Sequence, residues 1–135
     1  MRTGLEVRAA KYIGASLFGV GNYDLVKRAG YVGVYGLASG KPLLVLLRTS
    51  GDYTMPGALG EFRRVYQFIT PDTTIVLVRT DSVRAVQFLD ALVRSGYRAS
   101  SMVISEEEFM NLVYCNTTTT SELAARITSV LGGKP

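Results

Sequence analysis

No histidine occurs in the 135 residues. That gap removes the Ser–His and Cys–His nucleophile pairs, the commonest metal ligand and the usual general base at neutral pH. The single cysteine, Cys115, excludes an internal disulfide and a cysteine-based metal cluster. Beside an apolar helix end it is expected as a small buried residue. The longest unbroken apolar run, residues 42–47, is far shorter than the roughly 20 residues that cross a bilayer. Arg2 leads into a mixed stretch with Glu6 and Arg8, not the roughly 7–15 apolar residues of a secretory leader. A cytoplasmic location without a membrane partner is therefore expected. No complete catalytic site of a recognised kind is present, so the expectation is a non-enzyme without cofactor.

What is present is a globular composition, 47% hydrophobic and 19% charged, sufficient for one domain over residues 1–135. The net charge of +4 is uneven. Residues 1–80 hold ten Lys/Arg against five Asp/Glu, and residues 81–135 hold five against six. Most of the cations are arginine, which suits phosphate forks and buried ion pairs alike. A basic first half can meet a phosphate backbone or an acidic protein, whereas a modest positive charge also serves solubility alone.

The apolar pattern predicts a helix over 5–18, with Leu5, Ala9, Tyr12, Ile13 and Leu17 in a stripe and Glu6, Arg8 and Lys11 mostly off it. Strands are expected at 23–28, 31–37 and 42–48, the last two joined by a turn at Ser39-Gly40-Lys41. The run 43–47 is apolar on both faces, as in a strand covered from both sides. A turn at Ala29-Gly30 and a loop over 51–60 are followed by a helix over 58–69 and a strand over 74–78. Asp81 or Ser82 is expected to cap a helix that Gly96 stops, ahead of a short strand over 101–104. Ser105 with Glu108, and Thr119 with Glu122, read as capping boxes for two last helices, with 117–120 as a loop. The predicted class is α/β, a mixed sheet opened by an antiparallel hairpin with helices on both faces, in the order α-β-β-β-α-β-α-β-α-α.

Several local patterns have plain explanations. Residues 36–41 depart from a phosphate-binding loop in glycine spacing and in having Pro42 where a hydroxyl is needed. Glu106-Glu107-Glu108 suits the positive end of a helix dipole better than a metal. Asn116-Thr-Thr matches a glycosylation acceptor, but nothing else points to secretion. Among eight tyrosines, Tyr31 and Tyr35 share a strand face and Tyr23 and Tyr53 lie near loops. Interleaved with Lys27, Arg28 and Arg48, exposed aromatics would stack bases, although tyrosines also serve as core edges and protein contacts.

One longer pattern carries a likeness. Arg2-Thr-Gly4-Leu-Glu6-Val-Arg8 opens the first helix, and Gly30-Tyr-Val-Gly33-Val-Tyr-Gly leads into Leu44-Val-Leu46-Leu-Arg48-Thr-Ser-Gly51. Across residues 2–80 this order resembles the core of restriction-endonuclease-like nucleases, especially archaeal Holliday junction resolvases, with 81–135 as added helices and one short strand. The resemblance implies an Asp on one hairpin strand and Glu-x-Lys on the next, the acids holding magnesium and the Lys positioning the attacking water. Here Gly33 stands for the Asp, Leu46 for the Glu and Arg48 for the Lys, and only Glu6 survives of the acids. Asp24, on the neighbouring strand, would still lack a partner acid. A second likeness, of residues 23–31 to archaeal tRNA-splicing endonucleases, fails on the missing histidine and would leave only a non-catalytic subunit.

The resemblance implies a catalytically silent, nuclease-like domain that binds nucleic acid, DNA in preference to RNA, or assembles with an active partner or with a second copy of itself. Phosphate contact is then expected from Arg2, Arg8, Lys11, Lys27, Arg28, Lys41 and Arg48. The competing class is a protein–protein scaffold with no nucleic-acid role, marked by an apolar, tyrosine-lined surface. A small-molecule enzyme using Asp24, Asp52 or Glu6 would require a cleft that gathers those acids.

Overall fold

The computed structural model describes residues 3–28, 31–49, 57–81 and 83–132. The expected turn at Ala29-Gly30, the loop over 51–56, Arg2, Asp52, Tyr53 and Ser82 lie outside the described residues. The elements are α1 (Thr3–Phe18), β1 (Asp24–Arg28), β2 (Tyr31–Ala38), β3 (Lys41–Arg48), α2 (Ala58–Val65), β4 (Thr74–Arg79), α3 (Val86–Arg94), β5 (Arg98–Val103), α4 (Glu106–Val113) and α5 (Thr117–Gly132). Both the α/β class and the element order agree with the sequence pattern.

The five strands form one sheet in the order β1-β2-β3-β4-β5. The β1–β2 and β2–β3 pairs are antiparallel, and the β3–β4 and β4–β5 pairs are parallel. Period-two alternation splits the sheet residues between two cores. Leu43, Val45, Leu47, Val76 and Val78 pack with Ala9, Ile13, Phe109, Leu112 and Ile127 of α1, α4 and α5. Leu44, Leu46, Ile75 and Leu77 pack with Phe62, Val65, Phe88 and Leu92 of α2 and α3. A strand apolar at every position is therefore satisfied on both sides.

Ala38 pairs with Lys41, which leaves a two-residue turn. Ser39 and Gly40 both take positive φ, 53° and 77°, the geometry whose twist matches the flanking strands. Lys41 consequently belongs to β3 and not to the turn.

Several ends differ from the sequence expectation. Tyr66 leaves helical dihedrals (φ −113°, ψ 37°) and ends α2 at Val65, four residues early, so that its ring turns into the core. The N-cap of α3 is Ala85 and not Asp81, and it makes no side-chain cap hydrogen bond. Val83 and Ala85 are buried with Arg84 exposed between them, a strand-like alternation that delays the helix to Val86. β5 begins three residues early, at Arg98, following its parallel register with β4. The Ser105–Glu108 capping box is present in full. That proposed for Thr119 is replaced by Asn116, whose Oδ1 accepts the Thr119 N–H at 3.1 Å, so the four threonines are helical.

Cys115 is exposed, contrary to the expectation of burial, and takes φ 59°. Its N–H donates to Leu112 O at 3.1 Å and the Asn116 N–H to Asn111 O at 2.9 Å, the paired bonds of a left-handed helix terminus. Glycine reaches that conformation without Cβ strain. Cys115→Gly is expected to stabilise the fold by about 0.5–1 kcal/mol in denaturant titration, whereas Cys115→Val should destabilise it.

Candidate nucleic-acid interface

The register places Gly33 directly opposite Leu46, the two positions where the nuclease resemblance requires acids. Both face the α2 side of the sheet. A Cβ added at Gly33 would lie 2.6 Å from Tyr66 Oη and 3.2 Å from the side chains of Leu44 and Leu46. The volume a β2 carboxylate would occupy is thus filled by the Tyr66 hydroxyl. Leu46 is fully buried in the same aromatic core. Magnesium finds no donors at Gly33 or Leu46, and Arg48 brings a fixed positive charge. These residues do not fit the ion.

Glu6, the surviving acid, is buried rather than off the apolar stripe. Its Oε2 accepts the Thr49 backbone N–H at 2.7 Å and the Thr49 hydroxyl at 2.9 Å. The Thr80 hydroxyl in turn donates to Thr49 O at 3.0 Å. The carboxylate therefore ties α1 to the carboxyl ends of β3 and β4, and these charge-assisted bonds are what make its burial tolerable. Asp24 is exposed and pairs with Tyr35, while Val26 takes the place beside Gly33. Among the described residues no three of Asp, Glu or Cys come close enough to share a metal ion.

Two tyrosines lie beneath this end of the sheet. Tyr31 donates its hydroxyl to Ala58 O at 2.9 Å and packs edge-on against Phe62 and Tyr66. Burial pushes its pKa up to about 12, helped by the Glu61 carboxylate and opposed by the Arg48 guanidinium. Tyr66 is pushed higher still, by burial first and then by Tyr31, and its hydroxyl has no hydrogen-bond partner among the described residues. Both stay neutral at physiological pH and neither is a poised base or nucleophile.

The cations have a pattern that strand pairing alone creates. Arg28 pairs with Tyr31, and Arg48 pairs with Arg79. Continuing the β2–β3 register by two residues sets Tyr31 beside Arg48, consistent with the effect of that charge on the tyrosine. Arg28, Tyr31, Arg48 and Arg79 thus form one row across four strands, on one face, at the carboxyl end of the parallel strands. Three strand spacings make this row roughly 14 Å wide. Arg79 donates to Val83 O at 3.3 Å through Nη1, and its buried Nε lacks a partner among the described residues.

Shallow clefts flank the row. One of about 450 Å³ includes Lys27, Arg28, Gln67 and Phe68, the last 48% exposed and packed edge-on against Tyr35. The other, about 390 Å³, includes Arg79, Arg84 and Gln87 at the start of α3.

Of the predicted contacts, Lys27, Arg28 and Arg48 gather at this end, and Arg8 and Lys11 are exposed on α1. Lys41 does not join them. It starts β3, seven strand steps or about 23 Å from Arg48. Arg79, Arg84 and Phe68 also belong to the site, and no local sequence signal marks them. The Arg48–Arg79 pairing follows from a parallel register that no local pattern encodes.

Compared with family models, with curated proteins and with solved structures, the chain matches none. Among the described residues no helix is long and apolar enough to cross a membrane.

The close approach at Gly33 has a measurable consequence. Gly33→Ala is expected to cost about 1–3 kcal/mol through overpacking against Tyr66. Tyr66→Phe should be neutral or stabilising, because it removes a buried hydroxyl without a partner. Combining the two should recover most of the loss in chemical denaturation, and strict additivity of the two changes would refute the contact.

Proposed function

We propose that this chain binds the phosphate backbone of nucleic acid through the arginine row, without metal-dependent cleavage. The observation that carries this is the alignment of Arg28, Arg48 and Arg79 across the carboxyl end of the sheet. Ligands of open α/β sheets favour that end. A row roughly 14 Å wide is long enough to meet more than one phosphate of a strand, and arginine suits phosphate contact. Phe68 beside Lys27 and Arg28 adds a stacking surface suited to an unpaired base. The likeness to resolvase-type nucleases supports DNA, branched forms included, as the preferred partner. On this reading the acids have been lost and the binding face kept.

A second reading has its own observation. Phe18, Tyr23, Tyr35 and Leu37 line a cleft of about 670 Å³ at the other end of β2, where Leu37 is 62% exposed and the neighbouring Val20 is 87% exposed. That surface suits a protein partner, a second copy of the chain included.

The test is binding to single-stranded, duplex and branched DNA and to RNA across a salt series with magnesium present. Arg28→Ala with Arg79→Ala should weaken binding and flatten the log–log salt slope by about two, roughly 0.9 for each phosphate left unneutralised. Lys41→Ala should leave that slope unchanged. Cleavage of any substrate would overturn the silent assignment, and absence of binding at low salt would transfer the case to the protein partner.

A further inference from the structure

β1 and β5 are the two edges of the sheet, and among the described residues no strand pairs with the outer side of either. The registers decide which groups β1 offers there. Ala38 and Lys41 flank a two-residue turn and so exchange backbone hydrogen bonds. Alternation along the ladder then turns Gly36 and Val34 toward β3, and Tyr35 and Gly33 toward β1. Their partners Asp24 and Val26 bond back to β2, which leaves Leu25 and Lys27 with N–H and C=O directed away from the sheet. Side chains alternate as well, and Asp24, Val26 and Arg28 share the α2 side with Tyr35, Gly33 and Tyr31.

The charges on this edge are self-complementary. Asp24 starts the strand and Arg28 ends it, both exposed, and four strand steps, or about 13 Å, keep them from meeting within one chain. A second copy laid antiparallel, about a two-fold axis through Val26, brings them together. Leu25 of each copy then faces Lys27 of the other and exchanges its backbone bonds with it, while Asp24 of each faces Arg28 of the other. The Asp24–Arg28 and Val26–Val26 pairs fall at the closely spaced positions, with Cα atoms about 4.5 Å apart. Other antiparallel registers do worse. A shift of one residue sets outward backbone groups against inward ones. Shifts of two either oppose Lys27 to Lys27 or part both Asp24–Arg28 pairs. β5 has no such complement, because Arg98 is its only charge. Phe68, 48% exposed and packed on Tyr35 at the Asp24 end, gives the stem of the incoming arginine an apolar surface.

The geometry points to β1 as a homodimer edge, on which two copies of this chain join their sheets through Leu25–Lys27 backbone pairing and reciprocal Asp24–Arg28 ion pairs. Five residues a side are far fewer than the roughly 20–30 of a stable interface, so the dimer is weak and concentration-dependent. The pairing uses the strand edge and not the Phe18–Leu37 cleft, and it requires no nucleic acid. Arg28 is common to the arginine row, whereas Arg48 and Arg79 lie two and three strands further in, outside the contact.

Sedimentation velocity on nucleic-acid-free protein, from about 10 μM to about 1 mM, tests it. A dimer should form across this range and weaken as salt rises. Asp24→Arg and Arg28→Asp should each raise the dissociation constant about tenfold by setting like charges opposite each other. With both changes together the chain should dimerise as the unaltered one does. Both sites are exposed, so circular dichroism should show the fold intact in all three variants. In a Cys115→Ser background, Val26→Cys should oxidise to a cross-linked dimer, since the spacing of that pair suits a disulfide. Lys27→Cys, which faces Leu25, should not. A monomer throughout the range overturns the proposal and leaves the arginine row standing. So does a folded, doubly reversed chain that stays monomeric, or cross-linking through Lys27→Cys as readily as through Val26→Cys.

Discussion

β3 is antiparallel to one neighbour, parallel to the other, and buried against helices on both faces. Leu43–Leu47 must divide correctly between two cores at once, so sliding the strand by one residue would send every side chain to the wrong helix layer. Both of its ends are fixed. The Ser39–Gly40 turn leaves no slack between β2 and β3. At the far end the Glu6 carboxylate grips the backbone and hydroxyl of Thr49, and Thr80 grips Thr49 from β4. A buried acid that looks like the remnant of a metal site is thus an essential brace of the sheet.

The same register has two chemical results. It brings Gly33 and Leu46 together over the Tyr66 hydroxyl, a place where neither donors nor room exist for a metal ion. One step further along, it ranges Arg28, Arg48 and Arg79 at the rim, the first exposed and the other two half-buried. An apolar interior and a basic rim are consecutive rows of one alternating pattern. The tyrosines beneath this end remain protonated, so it offers charge and shape and no poised base.

Much of the architecture was legible because its determinants are local. Two-face apolar runs, the glycine punctuation at 19, 21, 40 and 96, and the Ser105–Glu108 box each act within a few residues. Non-local effects were hidden. Glu6 looked exposed by helical periodicity, and only the arrival of Thr49 makes its burial possible. Val83 and Ala85 are claimed by the core, which overrides the polar residues before them as caps. The low-complexity run of four threonines suggested a loop at 117–120, but Asn116 caps the helix and α1 and α4 pack along it. Of the arginine row, Arg28 and Arg48 were visible as basic residues beside the hairpin. Arg79 enters only through strand pairing across thirty-one positions.

The contact between position 33 and Tyr66 also governs the order in which this chain can change. An acid arriving first at 33 collides with the hydroxyl below it and burdens the fold before it can hold anything. The ring must be trimmed first, and Leu46 must also be exchanged before two carboxylates exist to share an ion. No single replacement along that path confers cleavage, so selection for cleavage has no first step to favour. On this scaffold the way to a metal site is a one-way valve, closed by a phenol ring and not by the missing acids alone.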